Sequence, residues 1–133
     1  MSSLIAVRLE TDGGTVLLLA RLSYAADQPY TVRADFFDGP AVLASWQFDR
    51  EMLVEGLSRP VGEGDVTLRP HREAGGDEVR IALRSHADGL EGQAVLFVDV
   101  GALTGFLDRT YEVVGEGEEF LDLDTLLQEF LAR

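Results

Sequence analysis

The chain has no cysteine, no lysine and no asparagine. Without cysteine there are no disulfides, no thiolate nucleophiles and none of the common structural zinc sites, which is ordinary in the cytosol and unusual in a small secreted domain. Without lysine there is no Schiff-base amine, no lysine general base and no phosphate-binding lysine of a P-loop. All eleven basic residues are arginine, as GC-rich codon usage favours. Apolar runs such as Val16 to Ala20 are far too short to cross a bilayer, and the amino terminus lacks a basic stretch followed by an apolar one. The sequence therefore reads as cytoplasmic, with no direct membrane insertion.

Negative charge is plentiful. Twenty-four carboxylates against eleven arginines give a formal charge of −13, which favours solubility and repels polyanions. Nucleic-acid binding would work against that field, and only a local arginine stripe would restore it. The 133 residues suit a single domain, spanning 1–133, with one core.

The first half alternates apolar and polar residues with the period of two expected of half-buried strands. Ile5, Val7 and Leu9 mark a first strand. Asp12-Gly13-Gly14 turns the chain into Val16 to Leu22, an apolar run that predicts a central strand buried on both faces. Pro29 opens a third strand with Tyr30, Val32, Ala34 and Phe36 on one face. After Asp38-Gly39-Pro40 a fourth follows, in which Val42, Ala44, Trp46 and Phe48 alternate. The period then changes. Asp49 is placed to cap a helix carrying Met52, Leu53 and Leu57, closed by Gly56 and Pro60. Strands resume at Val66 to Leu68, Val79 to Leu83 and Ala94 to Val98, joined by glycine-bearing loops. Two helices finish the chain, one capped by Asp99 and presenting Val100, Leu103, Phe106 and Leu107. The other presents Leu123, Leu126, Leu127, Phe130 and Leu131, a regular amphipathic stripe that its own sheet, a second subunit or a partner must cover. The expected fold class is α+β: a mainly antiparallel, seven-stranded, barrel-like domain with three helices in the order ββββα-βββ-αα.

Residues that carry chemistry are sparse. His71 and His86 fall in polar loops without a serine or cysteine in a triad pattern, so surface positions are expected. Neither a Gly-x-Ser-x-Gly elbow nor a His-Glu-x-x-His helix occurs. Asp122 and Asp124 lack the remaining ligands of a calcium loop and fit helix capping. The glycine pairs Gly62/Gly64 and Gly115/Gly117 enclose acids and read as turns, not phosphate cradles. Trp46, Phe36, Phe37 and Phe48 are the residue types of a base-stacking platform, but strand alternation assigns Phe36, Trp46 and Phe48 to the core and leaves Phe37 out of phase. No catalytic, cofactor-binding or metal-ligating residue is assigned, and neither a cofactor nor a small-molecule substrate is expected.

Taken together, Pro29-Tyr30 with Val32, Ala34 and Phe36, then Trp46, Phe48, Arg50, Leu53, Gly56-Leu57, Pro60, Gly62 and Gly64-Asp65-Val66, resemble the SsgA-like family. Its members are actinomycete regulators of sporulation and sporulation-specific cell division. The match continues in Phe106-Leu107, Arg109-Thr110, Gly117, Glu119, Asp122 and Asp124, in the same order, while Gly115-Glu116 stands where prolines would be expected. The resemblance implies a barrel-like fold related in architecture to the whirly proteins, assembly into a homotrimer, and no active site. It implies an adaptor recruited to division septa, whose partners are cell-division proteins such as the tubulin-like GTPase FtsZ or a membrane-bound division partner. The alternative is a single-stranded nucleic-acid-binding module, suggested by that architecture and by the strand arginines Arg8, Arg33, Arg69, Arg80 and Arg84.

Overall fold

The computed structural model describes residues 1–73, 75–85, 92–118 and 131. Four strands come first: β1 (Ser2–Thr11), β2 (Gly14–Ser23), β3 (Thr31–Asp38) and β4 (Ala41–Asp49). Helix α1 (Arg50–Gly56) leads to β5 (Val61–Glu63), β6 (Val66–Glu73), β7 (Gly76–Ser85) and β8 (Gly92–Asp99), and α2 (Val100–Val113) follows directly. The strands form one antiparallel half-barrel in the order β4-β3-β2-β1-β8-β7-β6-β5. Two local meanders are thereby joined along a short seam, where Val7, Arg8 and Leu9 of β1 face Val98, Phe97 and Leu96 of β8. Two tight hairpins depend on glycine: Gly39 and Gly64 each hold a φ of +59°, where a side chain is strained.

Both strand-to-helix transitions occur without a loop, because an aspartate ends the strand and caps the helix. Asp49 Oδ1 accepts from the Glu51 amide at 2.8 Å, and Asp99 Oδ2 accepts from the Ala102 amide at 2.9 Å. α1 bridges the open side of the half-barrel, packing against β4, β5, β6 and α2. The core lies on the inner face, where Val7, Ala20, Val32, Phe48 and Val98 meet Leu53 of α1 and Leu103, Phe106 and Leu107 of α2. The void left among these side chains is about 20 Å³, far below the several hundred of a ligand pocket.

Arg50 is only 1% exposed. Its guanidinium donates to the carbonyls of Thr110 at 3.2 Å and Val114 at 2.7 Å, and lies over the rings of Tyr111 and Tyr24. The first residue of α1 thus satisfies the carbonyl end of α2, where a cation is electrostatically favoured.

Several expectations are corrected. The strands number eight, not seven, because Val61-Gly62-Glu63 pairs with Val66 to Leu68 across the Gly64-Asp65 turn; a three-residue strand containing glycine has almost no periodicity to read. Two helices are present among the described residues instead of three, since the amphipathic segment from Leu123 lies outside them, save for exposed Leu131. β2 is buried on one face only: Leu18, Ala20 and Leu22 point inward, while Leu17 is 71% and Leu19 49% exposed. The third strand begins at Thr31, and Tyr30, just before it, is exposed. In β4 the register shifts opposite Phe36 and Phe37, which pair with Ala44 and Val42 and leave Leu43 as the extra residue of a bulge. The bulge turns Val42 to the outer face, so the regular alternation from Val42 to Phe48 does not hold. His71 lies in β6 and not in a loop, because that strand runs on to Glu73. Pro70 is tolerated there since β5 has already ended and β6 has become an edge.

Candidate protein-contact surface

Directly opposed residues of an antiparallel sheet share a face, so the register maps the outer surface strand by strand. On the β1 to β4 half, Leu4 faces Arg21, Leu19 faces both Ala6 and Phe37, and Phe37 faces Val42. Leu4, Leu17, Leu19 and Val42 are 58%, 71%, 49% and 57% exposed, an apolar cluster with no covering element among the described residues. Phe37 is half-buried beneath the Arg21 guanidinium, 5.1 Å from the ring centroid. Beside this patch Asp35 accepts from Ser45 and Arg33, whose hydrogen bonds hold its carboxyl below the usual carboxylate range.

Across the seam the same face is polar. Arg8 lies over Phe97 at 4.8 Å and forms a forked ion pair with Glu78, with Glu73 within 3.6 Å. His71 Nε2 is 2.9 Å from Glu73, a contact that holds the Glu73 carboxyl below its usual range, and its ring packs against Phe97. His71, Glu73 and Glu78 bring their ligand-type atoms within 4.8 Å of one another, close enough to share a divalent cation. Arg8 reaches both Glu78 and Glu73, and His71 contacts Glu73, so the arrangement is that of an ion-pair network.

The strand arginines singled out in the sequence, Arg8, Arg33, Arg69, Arg80 and Arg84, all lie on this outer face, together with Arg21. Sequence reasoning missed that common placement, although period-two counting from the inward residues of each strand would have found it. The aromatic platform is not assembled. Phe36 and Phe48 are in the core, Trp46 is half-buried against it, and only Phe37 reaches the outside. Two clefts of about 400 and 470 Å³ flank α1 and share Asp49, Glu51 and Glu55, giving that edge a strongly acidic lining. His86, Asp122 and Asp124 lie outside the described residues, and no helix among those described is long and apolar enough to cross a membrane.

Residues 18–119 match the family model for the Streptomyces sporulation and cell division protein SsgA. The chain is 41% identical to the sporulation-specific cell division protein SsgB of Thermobifida fusca over 91% of its own length and 86% of that protein's. It is 43% identical to SsgB of Streptomyces coelicolor over 85% of the chain and 81% of that protein. Among solved structures, an SsgA-like sporulation-specific cell division protein from Thermobifida fusca superposes with a TM-score of 0.88 at 35% identity, covering 100% of this chain and 95% of the other. A second solved structure, described by the statement that mutations in SsgB correlate to longitudinal cell division during sporulation of Streptomyces coelicolor, gives 0.82 at 36% identity, covering 91% of this chain and 93% of the other.

Proposed function

Since the chain belongs to the SsgA family of sporulation and cell division proteins, we propose that it is a non-enzymatic adaptor that regulates sporulation-specific septation through protein contacts on the outer face of its sheet. The observation that carries this reading is the cluster of Leu4, Leu17, Leu19 and Val42, each about half exposed or more on an ordered sheet. Apolar area of this kind is stabilised by a protein neighbour and marks a contact surface. The neighbour on the β1 to β4 half is a second copy of the chain, in a head-to-tail contact that closes into a homotrimer. The remaining surface then receives a cell-division partner, either FtsZ or a membrane-bound protein that brings it to future septum sites. The protein is cytoplasmic and recruited to septa.

Imaging a fluorescent fusion together with the division ring in the native host tests the proposal. Foci that precede or coincide with sporulation septa support it. A diffuse signal, with septation unchanged when the gene is deleted, would remove it.

A further inference from the structure

We infer that the β6 to β8 part of the outer face docks an acidic, carboxylate-bearing segment of a partner protein through Arg69, Arg80 and Arg84. Arg69 and Arg80 stand directly opposite each other across β6 and β7, so two guanidinium groups share one spot on one face. Like charges in that position repel. Arg84 lies on the same face of β7, roughly 13 Å along the strand at about 3.3 Å per residue. It borders a hollow of about 140 Å³ lined by Gly64, Asp65, Thr67, Ala82 and Gln93.

Four other arginines have carboxylates: Arg8 has Glu78, Arg33 has Asp35, Arg59 has Glu55 and Arg72 has Asp77; Arg21 instead lies over Phe37 and Arg109 donates to the Ser3 hydroxyl. Arg69, Arg80 and Arg84 make no ion pair among the described residues, in a chain where acids outnumber arginines by twenty-four to eleven. A shortage of anions does not explain three uncompensated cations on one sheet face. An external anion does, because the arginine fork binds a carboxylate through paired hydrogen bonds.

The surroundings select the class of anion. Opposite Arg80 stands Phe97, 7% exposed beneath Arg8 and His71, so its ring has no face open for a base to stack on. The net charge of −13 opposes a polyphosphate more strongly than a short peptide bearing a few carboxylates. Ala82 and Val95, opposed on this face, are only 6% and 8% exposed, so what the face offers a partner is the arginines and not an apolar groove. That fits a segment recognised by its closely spaced carboxylates. The inference rests on the adaptor reading only for its choice of a protein partner.

The test is fluorescence anisotropy of the full chain with a short labelled peptide of alternating glutamate and leucine. The same peptide with glutamine, and single-stranded oligothymidylate, are read at the same two salt concentrations. The glutamate peptide is expected to bind at low salt and weaken at high salt, and the triple variant Arg69→Gln/Arg80→Gln/Arg84→Gln to bind it at least about tenfold less tightly. The control Arg59→Gln/Arg72→Gln removes the same kind of charge elsewhere and should keep wild-type affinity. Thermal melting verifies folding, and the triple variant, relieved of a like-charge pair, should melt no lower than wild type. No binding of the glutamate peptide, equal losses in both variants, or tighter binding of oligothymidylate would overturn the inference. Those outcomes leave the septation proposal untouched, because it is read from localisation and gene deletion.

Discussion

Gly56 shows how one atom sets the distance between α1 and the sheet. A Cβ built there would stand 2.8 Å from the Leu68 Cβ and 3.1 Å from its Cδ2. Exchanging a helical glycine for alanine ordinarily stabilises by about 1 kcal/mol. Here overpacking wins, since the atom met first is a Cβ that cannot rotate away. Gly56→Ala should therefore destabilise by about 1–3 kcal/mol in urea unfolding, and should cost less in a Leu68→Gly background, which removes the Cβ it meets, than it does alone. Asp35 gives a residue-scale prediction in pH. Its carboxyl is held below the usual range by Ser45 first and Arg33 after it, so the ionised form is favoured in the fold. The stability this contributes is present above the unfolded carboxylate pKa and is lost as pH falls through the folded one. Ser45→Ala should thus lower the unfolding midpoint at neutral pH, with the gap to wild type closing in acid. Arg50 stood in the sequence as one residue of a family motif. Its burial was not legible there, because the carbonyls and rings that receive it come from Tyr24 and the far end of α2.

At the level of elements, helix starts were legible and strand faces were only partly so. Asp49 and Asp99 carry a local signal, a side-chain acceptor one residue before a helix, and the structure places both as caps. Asp49→Ala should cost about 1 kcal/mol. Because α1 has only seven residues and leads into β5, hydrogen exchange in Arg50–Gly56 should rise more than exchange in fourteen-residue α2 does in Asp99→Ala. Strand faces depend on partners that a linear reading does not see. Val16 to Leu22 reads as doubly buried because buried strands are continuously apolar, yet nothing among the described residues covers Leu17 and Leu19. The bulge at Leu43 reverses the phase of Val42 without leaving a glycine to announce it. The strand arginines alternate with the inward residues of their own strands, so their face was legible by counting, whereas the direct opposition of Arg69 and Arg80 follows only from the register of β6 and β7.

For the whole molecule, the exposed apolar cluster lies on β1 to β4 and the group of Arg69, Arg80 and Arg84 on β6 and β7, so the proposed assembly and the proposed recognition use different parts of the outer face. Leu17→Glu/Leu19→Glu should convert the proposed trimer to monomers by light scattering, while leaving the thermal midpoint of the monomer nearly unchanged, since both side chains are already in water. A wild-type chain that stays monomeric over a wide concentration range would contradict the trimer. The seam between β1 and β8 has a consequence for how the molecule comes into being. All other strand pairings join neighbours in the chain, whereas Val7 must find Val98 across most of its length. Loop closure makes such an encounter slow, so the two meanders are expected to form first as separate units and the seam to be the event that completes the molecule. Val7→Ala should then slow refolding more than Leu68→Ala does in stopped-flow kinetics, because the seam would be part of the barrier. Until that closure both meanders present unpaired strand edges, so a newly made chain is most exposed to aggregation in the interval before its first strand meets its last.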